Sequence, residues 1–249
     1  MTRFSRSSSN VVPLGAQTHA LFLDFDGTLA PLQDDPDAVA LPVYGAETLL
    51  ALKGLFGDAL VLISGRDVRD LSERTPIGVQ RAGGHGLEIC APGEAPPPAP
   101  APVDQSLLTR AADLIAAFDD VRIEEKGPVL AIHYRQNPSV EIDLVQGLSA
   151  LADATPGYKA QAGKMVVELK PRNANKGAAL RAMMQGPPFA GRIPIMVGDD
   201  TTDEDAMLVA EELGGFGVKV GVGQSCASYR FADPASVWDW LKGIVNEHA

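Results

Sequence analysis

Two aspartates two residues apart, Asp24 and Asp26, are the first groups in this 249-residue chain that could do chemistry. They belong to Asp24-Phe25-Asp26-Gly27-Thr28, which follows the apolar run Ala20-Leu21-Phe22-Leu23. Such a run reads as a short buried strand, and the carboxyl ends of parallel strands are where α/β sheets place ligands. One carboxylate there can attack phosphorus while the other moves the proton of the leaving group. Gly27 lets the backbone turn sharply beside a phosphate. The competing account is a plain polar turn, since Asp and Gly are usual turn residues. A second acidic group follows the strand-like Pro194 to Gly198. It is Asp199-Asp200-Thr201-Thr202-Asp203-Glu204-Asp205, with five acids in seven positions. These repel one another unless a cation is present, and Mg2+ takes a few carboxylates plus water and substrate oxygens. Asp203, Glu204 and Asp205 also suit the first turn of a helix, whereas Asp199 at the strand tip does not.

Two further groups sit at element ends. Ser64 closes the apolar run Ala59 to Ile63, and its hydroxyl can bond a phosphoryl oxygen. Lys176 opens a helix predicted over Asn175 to Met184, against the dipole preference, which points to an anion partner or to a solvated lysine. Between Lys159 and Arg181 there are six basic residues and one acid, a local charge of +5 that would focus an anionic substrate.

The elements around these residues alternate. Helical spacing over Glu47 to Phe56 and Asp67 to Arg74 separates short apolar runs, which predicts a parallel sheet with crossover helices. Ala91 to Pro102 interrupts the pattern with six prolines in twelve residues, an extended and semi-rigid linker. The alternation resumes after about residue 172. The expected fold is therefore α/β, a Rossmann-like core over 11–102 and 172–249 with an inserted α+β cap over 103–171. Residues 1–10 are expected to be a disordered tail.

The insert reads as helix, two strands, helix, two strands. Period-two alternation puts Leu130, Ile132 and Tyr134 on one face and Ala131, His133 and Arg135 on the other. Met165, Val167 and Leu169 likewise oppose Lys164, Val166, Glu168 and Lys170, and Glu124 and Lys126 point together. Each strand thus has one apolar face and one face studded with charge. Patterning alone leaves open whether that second face meets solvent or a site.

Composition narrows the function. The chain has 21 basic and 32 acidic residues, a net charge of -11, which argues against a nucleic-acid surface. No apolar run approaches the ~20 residues that span a bilayer. No secretory signal is apparent, and Cys90 and Cys226 are too few for a disulfide scaffold, so a cytoplasmic setting is expected.

Taken in order, the DFDGT, Ser64, Lys176 and GDDTTDED segments resemble the four signatures of the haloacid dehalogenase superfamily of phosphotransferases. The resemblance implies Asp24 as nucleophile and Asp26 as general acid and then base. It implies Lys176 and Ser64 as phosphoryl-binding groups, with Mg2+ held by Asp24, the Asp26 carbonyl and Asp199, and Asp203 behind them. Gly27 and Thr28, in the same segment, are expected among the substrate-binding residues. A finer resemblance, from about Ala20 to Leu241, is to trehalose-6-phosphate phosphatases. It rests on SGR at Ser64 to Arg66, GGHGLE at Gly83 to Glu88, IEEKGPVLAIHYR at Ile123 to Arg135 and GKMVVELKP at Gly163 to Pro171. It implies sugar contacts from Glu124, Lys126, Arg135, Lys164 and Glu168, with Arg66, His85 and His133 nearby. The cap residues among these lie on the charged face, which makes that face the expected lid of the site. The implied substrate is a disaccharide phosphate, and association with a trehalose-phosphate synthase stays open. The alternatives are a phosphatase for sucrose 6-phosphate or mannosylglycerate phosphate, a phosphosugar mutase, a receiver-type regulatory module, and a non-catalytic regulatory subunit.

Overall fold

A computed structural model describes residues 14–163 and 165–248, so the serine-rich start and Lys164 lie outside the described residues. In chain order the strands are β1 (His19–Leu23), β2 (Leu60–Ile63), β3 (Gln80–Gly83), β4 (Glu88–Cys90), β5 (Arg122–Lys126), β6 (Val129–His133), β7 (Tyr158–Gly163), β8 (Val166–Pro171), β9 (Ile193–Gly198), β10 (Phe216–Val220) and β11 (Tyr229–Phe231). The α-helices are α1 (Gly45–Leu55), α2 (Val68–Arg74), α3 (Gln105–Ile115), α4 (Glu141–Asp153), α5 (Lys176–Met183), α6 (Thr201–Glu212) and α7 (Pro234–Glu247).

One sheet has seven strands in the order β11-β10-β9-β1-β2-β3-β4, parallel except for the β3–β4 pair. Alternation along β1 explains why it is buried on both faces. Leu21 and Leu23 join Leu49, Leu52, Trp238 and Leu241 of α1 and α7 on one side. Ala20 and Phe22 join Leu180, Met207 and Ala210 of α5 and α6 on the other. Each such large apolar side chain contributes about 1.5–3 kcal/mol on burial. Successive strands leave β1 in both directions, β2 on one side and β9 on the other. The crevice at this switch point lies beyond the strands' carboxyl ends. Register sets what meets there. Leu23 is paired with both Leu62 and Val197, so Asp24, Ser64 and Asp199 emerge side by side.

The second sheet, β5-β6-β8-β7, is antiparallel throughout. Its apolar face is the expected one. Leu130, Ile132, Tyr134, Val167 and Leu169 pack with Leu107, Leu144 and Leu148 of α3 and α4. The other face is not simply solvated, because Lys170 is 1% exposed. The proline run is not a free linker either. Arg69 Nη1 donates to the carbonyls of Pro97 and Pro98, 3.0 Å each, and Pro100 packs where a Cβ on Gly127 would fall. The run is fastened to the large sheet's module at one end and to the β5–β6 turn at the other.

Candidate active site

Asp24 is 3% exposed and Lys176 2%. The Lys176 ammonium donates to Asp24 Oδ1 and Asp203 Oδ1, both at 2.7 Å. This explains a lysine at the first position of α5, whose N-cap is Asn175 through its bond to Ala178 N. Lys176 is placed there for two carboxylates, whatever the helix dipole prefers. Against the downward pull of burial, Asp203 and Asp24 hold its ammonium well above the usual lysine range.

The acidic segment splits into distinct roles. Asp200 is the N-cap of α6 and accepts from Thr202 N and Asp203 N, while Asp203 reaches back, forming a capping box. Asp203 Oδ2 accepts from the backbone N–H of Asp199 and Asp200. Asp199 rests on Gly27, which has φ +79°, and a Cβ there would lie 2.2 Å from Asp199 Oδ2. Only glycine permits both the turn and the approach. Asp24, Asp199 and Asp203 each offer an oxygen within 4.8 Å of the others. Burial, then the neighbouring carboxylates, pushes the Asp199 carboxyl up to about 7 and Asp203 to about 6, and raises Asp24 well above its ordinary value. Buried oxygens that resist ionisation without a counter-charge are a fitting donor set for a hard divalent cation.

Ser64 is 1% exposed, and its Oγ accepts from Arg66 N at 3.0 Å, leaving the hydroxyl proton for an incoming oxygen. Thr28 is fully buried, and its Oγ1 has no hydrogen-bond partner among the described residues. Asp26 is held by Arg66, whose Nε and Nη2 both donate to its carboxylate at 2.7–3.0 Å.

The charged face of the small sheet closes over these groups. A cavity of about 770 Å³ is lined by Asp24, Asp26, Ser64 and Lys176 from below and by Glu124, Lys126, His133, Arg135 and Glu168 from above. His133 Nε2 and Lys126 Nζ lie 2.8 and 3.4 Å from Glu124 Oε2. The His133 bond, and then Lys126, hold the Glu124 carboxyl below its usual range despite burial. His85 reaches Glu168 across the cleft, Nε2 to Oε2 at 3.0 Å, and Lys170 Nζ adds a 3.2 Å contact to the same oxygen. Burial raises the Glu168 carboxyl, but His85 and Lys170 outweigh it and hold it far below the ordinary range. Burial lowers the His85 imidazole in spite of Glu168, and facing a carboxylate its Nε2 is the donor. His85 itself has φ +59° between Gly84 and Gly86.

The structure thus brings together all the expected site residues it describes, but gives Arg66 to Asp26. Sequence reasoning missed three supporting residues. Asp70 accepts from the far edge of Arg66 at 2.7 Å. Asp200 carried a signal, an acid three residues before Asp203 at a helix start. Lys219 is 5% exposed and donates to the carbonyls of Asp199 and Val220. Its signal was a lone lysine between Val218 and Val220 in an apolar strand.

A seven-stranded sheet with this site at its switch point and an inserted antiparallel cap is the haloacid dehalogenase fold. A solved haloacid dehalogenase-like hydrolase from Bacteroides thetaiotaomicron shares it, with a TM-score of 0.60 over 92% of this chain and 100% of that one at 16% identity. Within that class, the sequence model of the trehalose-phosphatase family matches residues 22–235, and the chain belongs to that family. The trehalose-6-phosphate phosphatase of Escherichia coli (strain K12) is 38% identical over 92% of this chain and 87% of that protein. A probable trehalose-phosphate phosphatase of Sinorhizobium fredii (strain NBRC 101917 / NGR234) is 41% identical over 91% of this chain and 86% of its own length. The C-terminal domain of the Candida albicans trehalose-6-phosphate phosphatase superposes with a TM-score of 0.77 at 22% identity, covering 94% of each chain.

Proposed function

We propose that this chain hydrolyses trehalose 6-phosphate to trehalose and phosphate through an aspartyl-phosphate on Asp24. The observation that carries the reading is Lys176, buried between Asp24 and Asp203 beneath a sheet whose charged face carries Glu124, Lys126, Arg135 and Glu168. Such a face offers both donors and acceptors, as sugar hydroxyls require.

An Asp24 oxygen attacks phosphorus, and the bond to the sugar 6-oxygen breaks. Lys176 and the Ser64 hydroxyl hold the phosphoryl oxygens in place. Asp26 gives its proton to the departing sugar oxygen. It then takes a proton from the water that attacks the aspartyl-phosphate, and Asp24 is restored. Mg2+, held when bound by Asp24, Asp199 and the Asp26 carbonyl with Asp203 behind, supplies positive charge between two anions that must meet. We assign residues 11–102 and 172–249 to this chemistry and residues 103–171 to sugar selection and to exclusion of bulk water. The unpaired Cys90 and Cys226 support a cytoplasmic setting.

The test is phosphate release from trehalose 6-phosphate, sucrose 6-phosphate, glucose 6-phosphate and para-nitrophenyl phosphate, with Mg2+, with chelator, and with Asp24→Asn. Metal-dependent release strongest on trehalose 6-phosphate and lost in the variant is expected. Release without that preference would keep the phosphatase and discard the substrate. No release would point to a mutase or a regulatory role.

A further inference from the structure

Arg66 follows the Ser64-Gly65 turn at the end of β2, and its side chain is 13% exposed. A guanidinium has five N–H donors. Nε–H is shared by the two Asp26 oxygens at 2.8 and 3.0 Å, one Nη2–H goes to Asp26 Oδ1 at 2.7 Å, and the other to the Pro36 carbonyl at 2.9 Å. One Nη1–H goes to Asp70 Oδ2 at 2.7 Å. A single Nη1–H remains for any substrate.

The far side of this arrangement is also fixed. Asp70 lies one helical turn along from Arg66 and takes Arg74 Nε at 2.8 Å on its other oxygen. Arg74 Nη1 in turn donates to the carbonyls of Asp37 and Val39, both at 2.9 Å. A continuous line therefore runs from the 37–39 loop through Arg74, Asp70 and Arg66 to Asp26. Bidentate guanidinium–carboxylate pairs fix the plane of the carboxyl as well as its distance.

We infer that Asp70 is a positioning residue for proton transfer: it anchors the Nη1 edge of Arg66 so that the opposite edge orients Asp26. This rests on the proposed role of Asp26 as the acid that protonates the sugar oxygen as the P–O bond breaks. In Asp70→Asn the Nη1 edge loses its anion, and the guanidinium is free to turn toward the phosphate in the cavity. Asp26 then loses its fixed orientation, while Asp24, Lys176 and Ser64 keep theirs.

The distinguishing readout is sensitivity to the leaving group. A poor leaving group needs a well-placed acid, and para-nitrophenolate does not. The experiment measures kcat/KM, which covers steps only through leaving-group departure, on substituted phenyl phosphates and on trehalose 6-phosphate with Mg2+. General acids contribute about 10²–10⁴-fold, and a misaligned one forfeits part of that. Asp70→Asn is expected to lose about tenfold or more on phenyl phosphate and on trehalose 6-phosphate, but under about threefold on para-nitrophenyl phosphate. Asp70→Glu should recover part of the loss, and adding Asp70→Asn to Asp26→Asn should cost nothing further. Arg74→Gln loosens Asp70 from the other side and should steepen the same dependence less, which keeps the inference falsifiable where Asp70→Asn does not fold. Equal losses across the series, unchanged rates, or additive losses in the double variant would overturn it. If Asp26→Asn itself leaves the dependence flat, the reading of Asp26 as acid fails instead.

Discussion

His85 Nε2 lies 3.0 Å from Glu168 Oε2, and among the described residues no other side-chain hydrogen bond joins 14–98 or 175–248 to 103–171. A core histidine thus holds a cap carboxylate over the cavity that Asp24, Ser64 and Lys176 line. The same carboxylate is expected to meet the sugar. On that expectation, closure and sugar recognition pass through one side chain.

This makes a prediction about substrate dependence. Hydrogen bonds to charged groups are worth about 1.5–3 kcal/mol, or about 10–150-fold. Glu168→Gln and His85→Ala should each lower kcat/KM for trehalose 6-phosphate in that range. Para-nitrophenyl phosphate, which has no sugar to recognise, should change by less than about threefold. Steady-state kinetics on both substrates checks this, and equal losses on the two would refute the latch.

Gly27 gives a second prediction. Alanine there would meet Asp199 Oδ2 at 2.2 Å and would have to adopt φ +79°. Asp199 must move, and with it one of the three clustered carboxylates. Displacing a catalytic group by about 1 Å can cost on the order of 10²-fold. Gly27→Ala should lose activity on that scale on every substrate, and the Mg2+-induced rise in melting temperature should shrink with it. A variant with a wild-type metal response would contradict the cradle.

Much of this was legible in the sequence, for a physical reason. Strands β1, β2 and β9 are short apolar runs that end in polar residues, so their tips announce the site. The β6 and β8 alternation announced which cap face carries charge. What stayed hidden depends on partners far along the chain. Edge strands β4 and β11 are three residues each, too short for periodicity to show. Asp70 reads as an ordinary first-turn acid until Arg66 is seen gripping it. Arg66 was expected among the substrate contacts, and spacing cannot show that four of its five N–H donors already go to Asp26, Pro36 and Asp70. The proline run reads as a linker by composition, and only its distant partners, Arg69 at one end and Gly127 at the other, show that it is clasped.

Metal removal should make stability pH-dependent in a defined direction. Burial raises the Asp199 carboxyl to about 7, with Asp203 and Asp200 adding to it, and raises Asp203 to about 6, where Asp200 adds and Lys176 opposes. Unfolded aspartates titrate near ~3.9. Between those values the folded chain holds more protons than the unfolded one, so stability falls as pH rises through that window. Mg2+, held by the ionised carboxylates as proposed, should offset the loss. The gap in melting temperature between Mg2+ and chelator should therefore widen from about pH 5 to about pH 8. A gap that narrows over that range would refute the assignment of these groups to the cation.

The site is expected to exchange stability for activity, and two substitutions separate the terms. The Asp24 carboxyl is raised well above its ordinary value, first by burial and then by Asp203. Its surroundings therefore disfavour the charge that the reaction needs. Asp24→Asn removes that charge at nearly constant shape and leaves Lys176 its 2.7 Å bond to Asp203. In chelator its melting temperature should rise above wild type, while phosphate release disappears. Lys176→Met does the reverse, because it leaves two buried carboxylates without their shared cation. Breaking a buried pair this way costs about 3–5 kcal/mol, on the order of 10 °C in a chain of this size. Thermal unfolding of both variants in chelator checks the pair. Asp24→Asn melting below wild type would mean that the Lys176 contact outweighs the repulsion, and that the nucleophile is stabilised by its setting.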